Sequence, residues 1–273
     1  MNLLAFSTVL DDTSAGDRRI EQIAEAGFDG VEPTLANEGA RPSLASPVDS
    51  AEHVRRVAER CGIRAPSMRG GPAFWPSFGA KDADKRRKAV DAAEAGLDAV
   101  EALGGDTLLI VPGLWEGDQT YAEFRTHALD TARRIAELAE AKRIRVGLEN
   151  VQNRFLLSPS EWIAFLDEVG SDWVKMYFDV GNTWWLRRGF PEQWIHELGP
   201  DRIGRIHFKD AVEGGDVVHL LEGGVNWPAV ARAIGGIGYD DWIAVELDVP
   251  AHLPEAMLRA TASSARAILD AGP

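Results

Sequence analysis

R-V-G-L-E-N, residues 145–150, is a short apolar run that ends on a carboxylate, Glu149. The same construction returns three times downstream. M-Y-F-D-V-G-N at 176–182 carries Asp179, R-I-H-F-K-D at 205–210 carries His207, and I-A-V-E-L-D at 243–248 carries Glu246. A strand that buries a carboxylate or an imidazole needs a partner for it, because an unpaired buried charge is strongly destabilising. Four successive strands built this way point to one shared partner, and a divalent cation is the economical choice. Singly, each residue has a plainer explanation. A strand-end Glu or Asp also caps helices or joins ion pairs, and a lone His after an apolar run is commonly a hydrogen-bonded core residue. The equivalence of the four positions is what favours a common site.

On either side of these runs the chain keeps alternating between short apolar segments and longer amphipathic ones. Strands are predicted at Leu3–Ser7, Gly30–Glu32, Arg64–Met68, Thr107–Val111, Arg145–Asn150, Lys175–Asp179, Ile203–Phe208 and Trp242–Leu247. Helices are predicted at 17–27, 48–61, 82–103, 121–142, 159–169, 190–198, 227–236 and 254–270. Ser158-Pro159 reads as an N-cap with proline in the first turn, and Gly27, Gly62 and Gly104 read as helix stops. Eight strand–helix pairs in strict alternation predict an α/β fold, a parallel sheet closed into a single (β/α)8 TIM barrel. An open doubly wound sheet would normally carry a glycine-rich turn after its first strand, and Leu10-Asp11-Asp12-Thr13 is not one. No composition shift marks a linker, so residues 1–273 are expected to form one domain.

The 273 residues carry a formal net charge of -14, which repels polyanions and speaks against nucleic acid or anionic membranes as partners. The densest basic run, Lys85 to Lys88, belongs to an amphipathic helix. The single cysteine, Cys61, forms no internal disulfide, and the start of the chain lacks the features of a signal peptide. A cytoplasmic protein is the expectation.

In a parallel barrel the four residues fall at the C-terminal strand ends, on the fifth to eighth strands. Alternation puts Glu149 on one face with Gly147 and Val151, His207 with Lys209, and Glu246 with Asp248. Three carboxylates and one imidazole suit one divalent metal, Mn2+ first, with Mg2+, Co2+ or Zn2+ as alternatives. Around that mouth, Lys209 is a candidate to bind a substrate oxyanion or to pair with Asp210 or Glu246. Glu32 ends the second strand and is a candidate substrate contact. Trp115 and Trp184, with Trp185 and Trp75, lie in strand-end loops where an indole face can stack on a sugar. His219 and His252 read as surface residues.

The chain resembles the xylose-isomerase-like barrels of the sugar phosphate isomerase and epimerase family over nearly its whole length. The resemblance is carried by G-L-E-N at 147–150, F-D-V-G-N at 178–182, I-H-F-K-D at 206–210, L-E-G-G-V-N-W at 221–227 and V-E-L at 245–247. It implies that Glu149, Asp179, His207 and Glu246 bind the metal, and that Glu149 and Glu246 also transfer protons. It further implies a small carbohydrate substrate and, commonly in the family, a homo-oligomer. Removing a proton beside a carbonyl makes an enediolate, whose charge a Lewis acid stabilises. Two carboxylates on opposite faces of that carbon can take the proton and return it inverted. The chain also departs from the ketose epimerases of the family. Asn182 stands where many have His, and it can hydrogen-bond a hydroxyl but not shuttle a proton. Glu213 stands where they have Arg, and Leu221 replaces the first glycine of the G-E-G turn that contains Glu222. These departures weigh against a free-ketose epimerase and leave the family resemblance intact.

The expected activity is therefore a metal-dependent sugar isomerase or 3-epimerase acting on a ketose, a sugar phosphate or a polyol ketone. The alternatives are a lyase of the same superfamily, such as an inosose dehydratase or a 3-keto-glycoside eliminase, an endonuclease IV-like nuclease, and a non-catalytic barrel. The acidic charge and few histidines speak against the nuclease. Near the loops after strands seven and eight, the only cations are Lys209 and the pair Arg187-Arg188, which favours an unphosphorylated substrate.

Overall fold

Eight parallel strands alternate with helices along the whole chain, as the periodicity predicts. The computed structural model describes residues 2–74 and 78–272. The strands are β1 (Leu4–Thr8), β2 (Gly30–Pro33), β3 (Ser67–Arg69), β4 (Thr107–Ile110), β5 (Arg145–Glu149), β6 (Val174–Asp179), β7 (Ile203–Phe208) and β8 (Ile243–Glu246). They hydrogen-bond in the order β2-β1-β8-β7-β6-β5-β4-β3. Bridges from Gly30 to Arg64 and from Thr34 to Arg69 bring the two ends of that order together. The result is a (β/α)8 TIM barrel in which β5 to β8 are neighbours along one wall.

The helices are α1 (Ser14–Glu25), α2 (Pro47–Arg60), α3 (Ala83–Leu103), α4 (Tyr121–Lys142), α5 (Pro159–Val169), α6 (Val180–Trp185), α7 (Pro191–Arg202), α8 (Trp227–Gly236) and α9 (Pro254–Asp270). Their ends follow local chemistry. Thr120 and Glu123 form a reciprocal capping box on α4, and Ser158 caps α5 ahead of Pro159. Gly104 ends α3 at φ 77°, a conformation that glycine adopts without strain.

Several element bounds shift from the sequence expectation by one to three residues, α1 among them, and three differences are specific. β3 starts at Ser67 rather than Arg64, because Pro66 has no N–H to give the ladder. α7 continues to Arg202 across a kink at Gly199 (φ 68°), which Pro200 follows. α6, a six-residue helix directly after β6, was not expected at all.

Alternation along the strands sorts the side chains. Val146, Leu148, Met176, Phe178, Ile206 and Phe208 are fully buried in the main core, packed with residues of the helices. The alternate positions fill the barrel, where Ala5, Trp242 and Ala244 form a separate small cluster. Among the described residues, no helix is long and apolar enough to cross a membrane.

Candidate metal centre

β5, β6, β7 and β8 each bring one side chain to the C-terminal mouth of the barrel. The register sets Asp179 beside His207 and Ser7 beside Glu246. Glu149, Asp179, His207 and Glu246 each offer one donor atom, and those atoms lie within 4.8 Å of one another. Glu149, Asp179 and His207 are buried, and Glu246 is partly exposed.

His207 fixes the geometry. Its Nε2 lies 2.7 Å from Glu32 Oε1. Nδ1 then faces the carboxylates, at 3.4 Å from Glu149 Oε1, 3.7 Å from Glu246 Oε2 and 3.9 Å from Asp179 Oδ2. Nδ1, Asp179 Oδ2 and Glu246 Oε2 are all buried and none makes a hydrogen bond of good geometry. The two carboxylate oxygens share an ion pair with the Lys209 ammonium, which stands 2.9 Å from Asp179 Oδ2 and also contacts Glu246 Oε2. Three convergent buried atoms without hydrogen bonds, from a hard oxygen-rich donor set, fit a divalent cation. This cluster of Glu, Asp and His can hold one such ion.

Beneath His207 lies a fourth carboxylate. Glu32 is fully buried, accepting hydrogen bonds from Ser67 Oγ and the Tyr177 hydroxyl, each at 2.5 Å, besides its contact with His207. Burial works against both charges of the Glu32–His207 pair, but their mutual attraction outweighs it. The Glu32 carboxyl is lowered to about 2, with help from Ser67 and Tyr177. The His207 imidazolium is raised to about 9, with help from Glu149. Glu32, expected as a substrate contact at the mouth, is fully buried, and its hydrogen bonds go to Ser67, Tyr177 and His207. It holds the His207 ring so that Nδ1 points at the carboxylates, as carboxylate partners of metal-binding histidines do. Gly147 makes room for this layer, since a Cβ there would come within 2.8 Å of the Tyr177 ring.

The asparagines of the two motifs clamp β5 to β6. Asn150 Oδ1 accepts from the Asp179 N–H at 2.8 Å, and its Nδ2 donates to Asp179 O at 2.9 Å and Thr183 Oγ1 at 3.1 Å. Asn182 Nδ2 donates to Asn150 O at 2.9 Å, while its Oδ1 accepts from Lys209 Nζ at 3.3 Å. Gly181 between them lies against the Lys209 backbone; a Cβ would stand 2.5 Å from Lys209 O. Lys209 thus pairs with Asp179 and Glu246 rather than with Asp210. Asp210 is fully buried and accepts from the N–H groups of Ala211, Leu221, Gly223 and Val225 and from Trp227 Nε1. Glu213 and Glu222 are exposed.

Arg69 is the residue that sequence reasoning missed. Its guanidinium contacts Glu246 Oε1, and its Nε donates to Thr34 Oγ1 at 3.0 Å. The available signal was a charged residue closing S-M-R-G, hidden because the third strand was expected to end at Met68. Two cavities flank Glu246 and share Val9, Arg69 and Lys209 in their walls. One, about 340 Å³, is lined by Glu149, Val151, Gln152 and Asn182 among others. The other, about 420 Å³, reaches toward β1 and α1. Trp115 and Trp184 line neither. Trp115 donates to Gln119 O at 2.9 Å and meets Tyr121 edge-on, and Trp184 packs near Phe190 and Gly224. Trp75 lies outside the described residues.

Comparison with known proteins agrees with this architecture. The sequence model described as xylose isomerase-like TIM barrel matches residues 20–268. An uncharacterized protein of Methanocaldococcus jannaschii is 30% identical over 162 residues, a match spanning 55% of this chain and 54% of that protein. The chain therefore covers only about half the length of that relative. A protein of Escherichia coli with the provisional name L-ribulose-5-phosphate 3-epimerase SgbU is 27% identical, covering 70% of this chain and 67% of its own. A solved L-ribulose 3-epimerase superposes with a TM-score of 0.81 over 99% of this chain and 95% of its own, at 16% identity, which is a likeness of fold.

Proposed function

Because the chain belongs to the xylose isomerase-like TIM barrel family, we propose that it is a divalent-metal-dependent sugar epimerase or isomerase. Its substrate is a ketose, a sugar phosphate or a related polyol ketone, and its reaction passes through an enediolate. One observation carries the reading: four donor atoms from four neighbouring strands converge within 4.8 Å at the C-terminal mouth of the barrel. The name of the E. coli relative supports epimerisation over elimination.

Glu149, Asp179, His207 and Glu246 would hold the ion, and manganese is the first candidate for that donor set. When bound, it supplies Lewis acidity to a carbonyl and the neighbouring hydroxyl oxygen. Glu149 opens onto one cavity and Glu246 borders both. Glu149 takes the proton from the carbon beside the carbonyl, the C–H pair becomes a carbon–carbon double bond, and the carbonyl π pair moves onto the oxygen. Glu246, contacted by Arg69 and Lys209, enters the step as the carboxylic acid and gives its proton to the opposite face of that carbon while the carbonyl re-forms, which inverts the centre; exchange with water resets both groups. Lys209 and Asn182, joined at 3.3 Å, present an ammonium and an amide to the substrate hydroxyls.

The test loads the protein with manganese and incubates it with a panel of ketoses and ketose phosphates in heavy water. Deuterium should enter the carbon beside the carbonyl, and Glu149→Gln or Glu246→Gln should slow the exchange by about 10²–10⁴-fold. An absorbing enone would move the protein to the lyases. Absence of exchange together with absence of bound metal would remove the enzyme reading.

A further inference from the structure

The cavity that runs from Glu246 toward β1 and α1, about 420 Å³, contains two polar groups that the metal centre gives no role. Ser7 Oγ, on a residue 2% exposed, has no hydrogen-bond partner. Ser7 stands beside Glu246 in the β1–β8 register, so this hydroxyl borders the proton-transfer site. The second is Arg19 of α1, which lines the same cavity. Its NH1 is buried without a hydrogen-bond partner, and no ion pair joins the Arg19 side chain to another described residue. Glu255, the carboxylate that acts on it electrostatically, is already bonded to Gln22 at 2.7 Å and paired with Arg18 at 3.7 Å.

The charges around the cavity leave Arg19 free. Glu246 is engaged by Arg69 and Lys209. Asp248, which also lines the wall, is exposed to solvent. A buried hydroxyl and a partly desolvated guanidinium are both unfavourable until something accepts their hydrogen bonds. A guanidinium fork matches the oxygens of a phosphate or a carboxylate.

We propose that the substrate carries an anionic group, a phosphate ester or a carboxylate, that Arg19 and Ser7 hold in this cavity while the ketone end lies at the metal centre. The inference rests on the epimerase reading for the chemistry at that centre. In its phosphate-ester form it reverses the expectation of an unphosphorylated substrate, which considered only the loops after strands seven and eight. The cation comes instead from the first helix, and Arg187 and Arg188 line neither cavity.

Two measurements on the metal-loaded full chain test it. Calorimetric titration with inorganic phosphate should show saturable binding that Arg19→Gln weakens at least tenfold and Arg19→Lys partly restores, with Ser7→Ala weakening it less. Deuterium exchange should then be compared for a neutral ketose, its phosphate ester and a ketose carboxylate. Arg19→Gln should raise KM for the preferred anionic substrate at least tenfold more than for the neutral ketose, with a smaller change in kcat. Which anion suffers the larger loss identifies the phosphate or the carboxylate. Phosphate binding that is absent or equal in wild type and Arg19→Gln, together with KM values for both anionic substrates that Arg19→Gln leaves unchanged, overturns the inference even if neutral ketoses exchange. Arg19-dependent phosphate binding without exchange of any substrate keeps the anion site and rejects the epimerase reading.

Discussion

Oδ1 of Asp179 accepts the Asn182 N–H at 2.6 Å and starts α6, while Oδ2 faces the donor cluster. Capping and metal ligation stood as rival explanations in the sequence, yet a carboxylate has two oxygens, and here one caps the helix while the other is left to the cluster. Glu32 shows the converse case, a residue legible as important whose partner was not. The consequence is a pH dependence. The folded pKa of His207, about 9, lies above its ordinary 6.5, so its share of the ion-pair stability is complete below pH 6.5 and is lost as pH rises toward 9. The folded pKa of Glu32, about 2, lies below its ordinary 4.5, so its share is present above pH 4.5 and is lost as pH falls toward 2. The metal-free protein should therefore keep this pair intact between those ordinary values. A cation needs Nδ1 without its proton, so manganese affinity should climb between pH 6.5 and 9. Glu32→Gln should shift that climb to lower pH and weaken binding at high pH by roughly 10–100-fold. Manganese titrations of both proteins across this range provide the check, and a pH-independent affinity would contradict the geometry.

Elements with strong local signals were readable to the residue. α4, α5, α8 and α9 begin and end where their caps and prolines predict, and β7 coincides with its apolar run. α6 was not readable, because V-G-N-T-W-W contains a glycine and is too short to show a helical period. It is held by the local Asp179 cap and by the Asn150–Thr183 contact, and the second is tertiary in origin. The loop from Ala211 to Asn226 is organised in the same way, by a buried carboxylate. Four backbone N–H groups and one indole converge on Asp210. Each buried donor left without an acceptor costs roughly 1–3 kcal/mol. Asp210→Ala should thus lower the unfolding free energy by at least about 3 kcal/mol in urea titration. A loss under about 1 kcal/mol would mean that water replaces the carboxylate there.

Over the whole molecule the two ends of the barrel divide their tasks. At the end opposite the metal centre, the fully buried Arg205 side chain pairs with Asp106 and Asp241, and Arg145 joins the same two carboxylates at 3.0 and 2.9 Å. Burial opposes the Arg205 charge, but these carboxylates raise its pKa further above the ordinary range. This network holds β4, β5, β7 and the approach to β8 together without touching the four donors. Arg205→Ala should therefore reduce stability by about 3 kcal/mol. It should leave unchanged the gain from manganese, about 2.7 kcal/mol at a hundred times the dissociation constant. Urea melts with and without the ion separate the two effects. A variant that loses the metal-dependent gain would show that the ends are coupled.

The sequence by itself determined the order of strands and helices and the identity of the four donors, because periodicity, caps and strand-end charges are local signals. Only the tertiary structure decided which atoms meet. The contact of Glu32 with His207 spans 175 residues and that of Arg69 with Glu246 spans 177. Arg19 of α1 lines one cavity with Ser7 of β1, which adjoins β8 in the closed barrel. Barrel closure brings the first strand against the last, and no pattern confined to neighbouring residues encodes what then lies face to face.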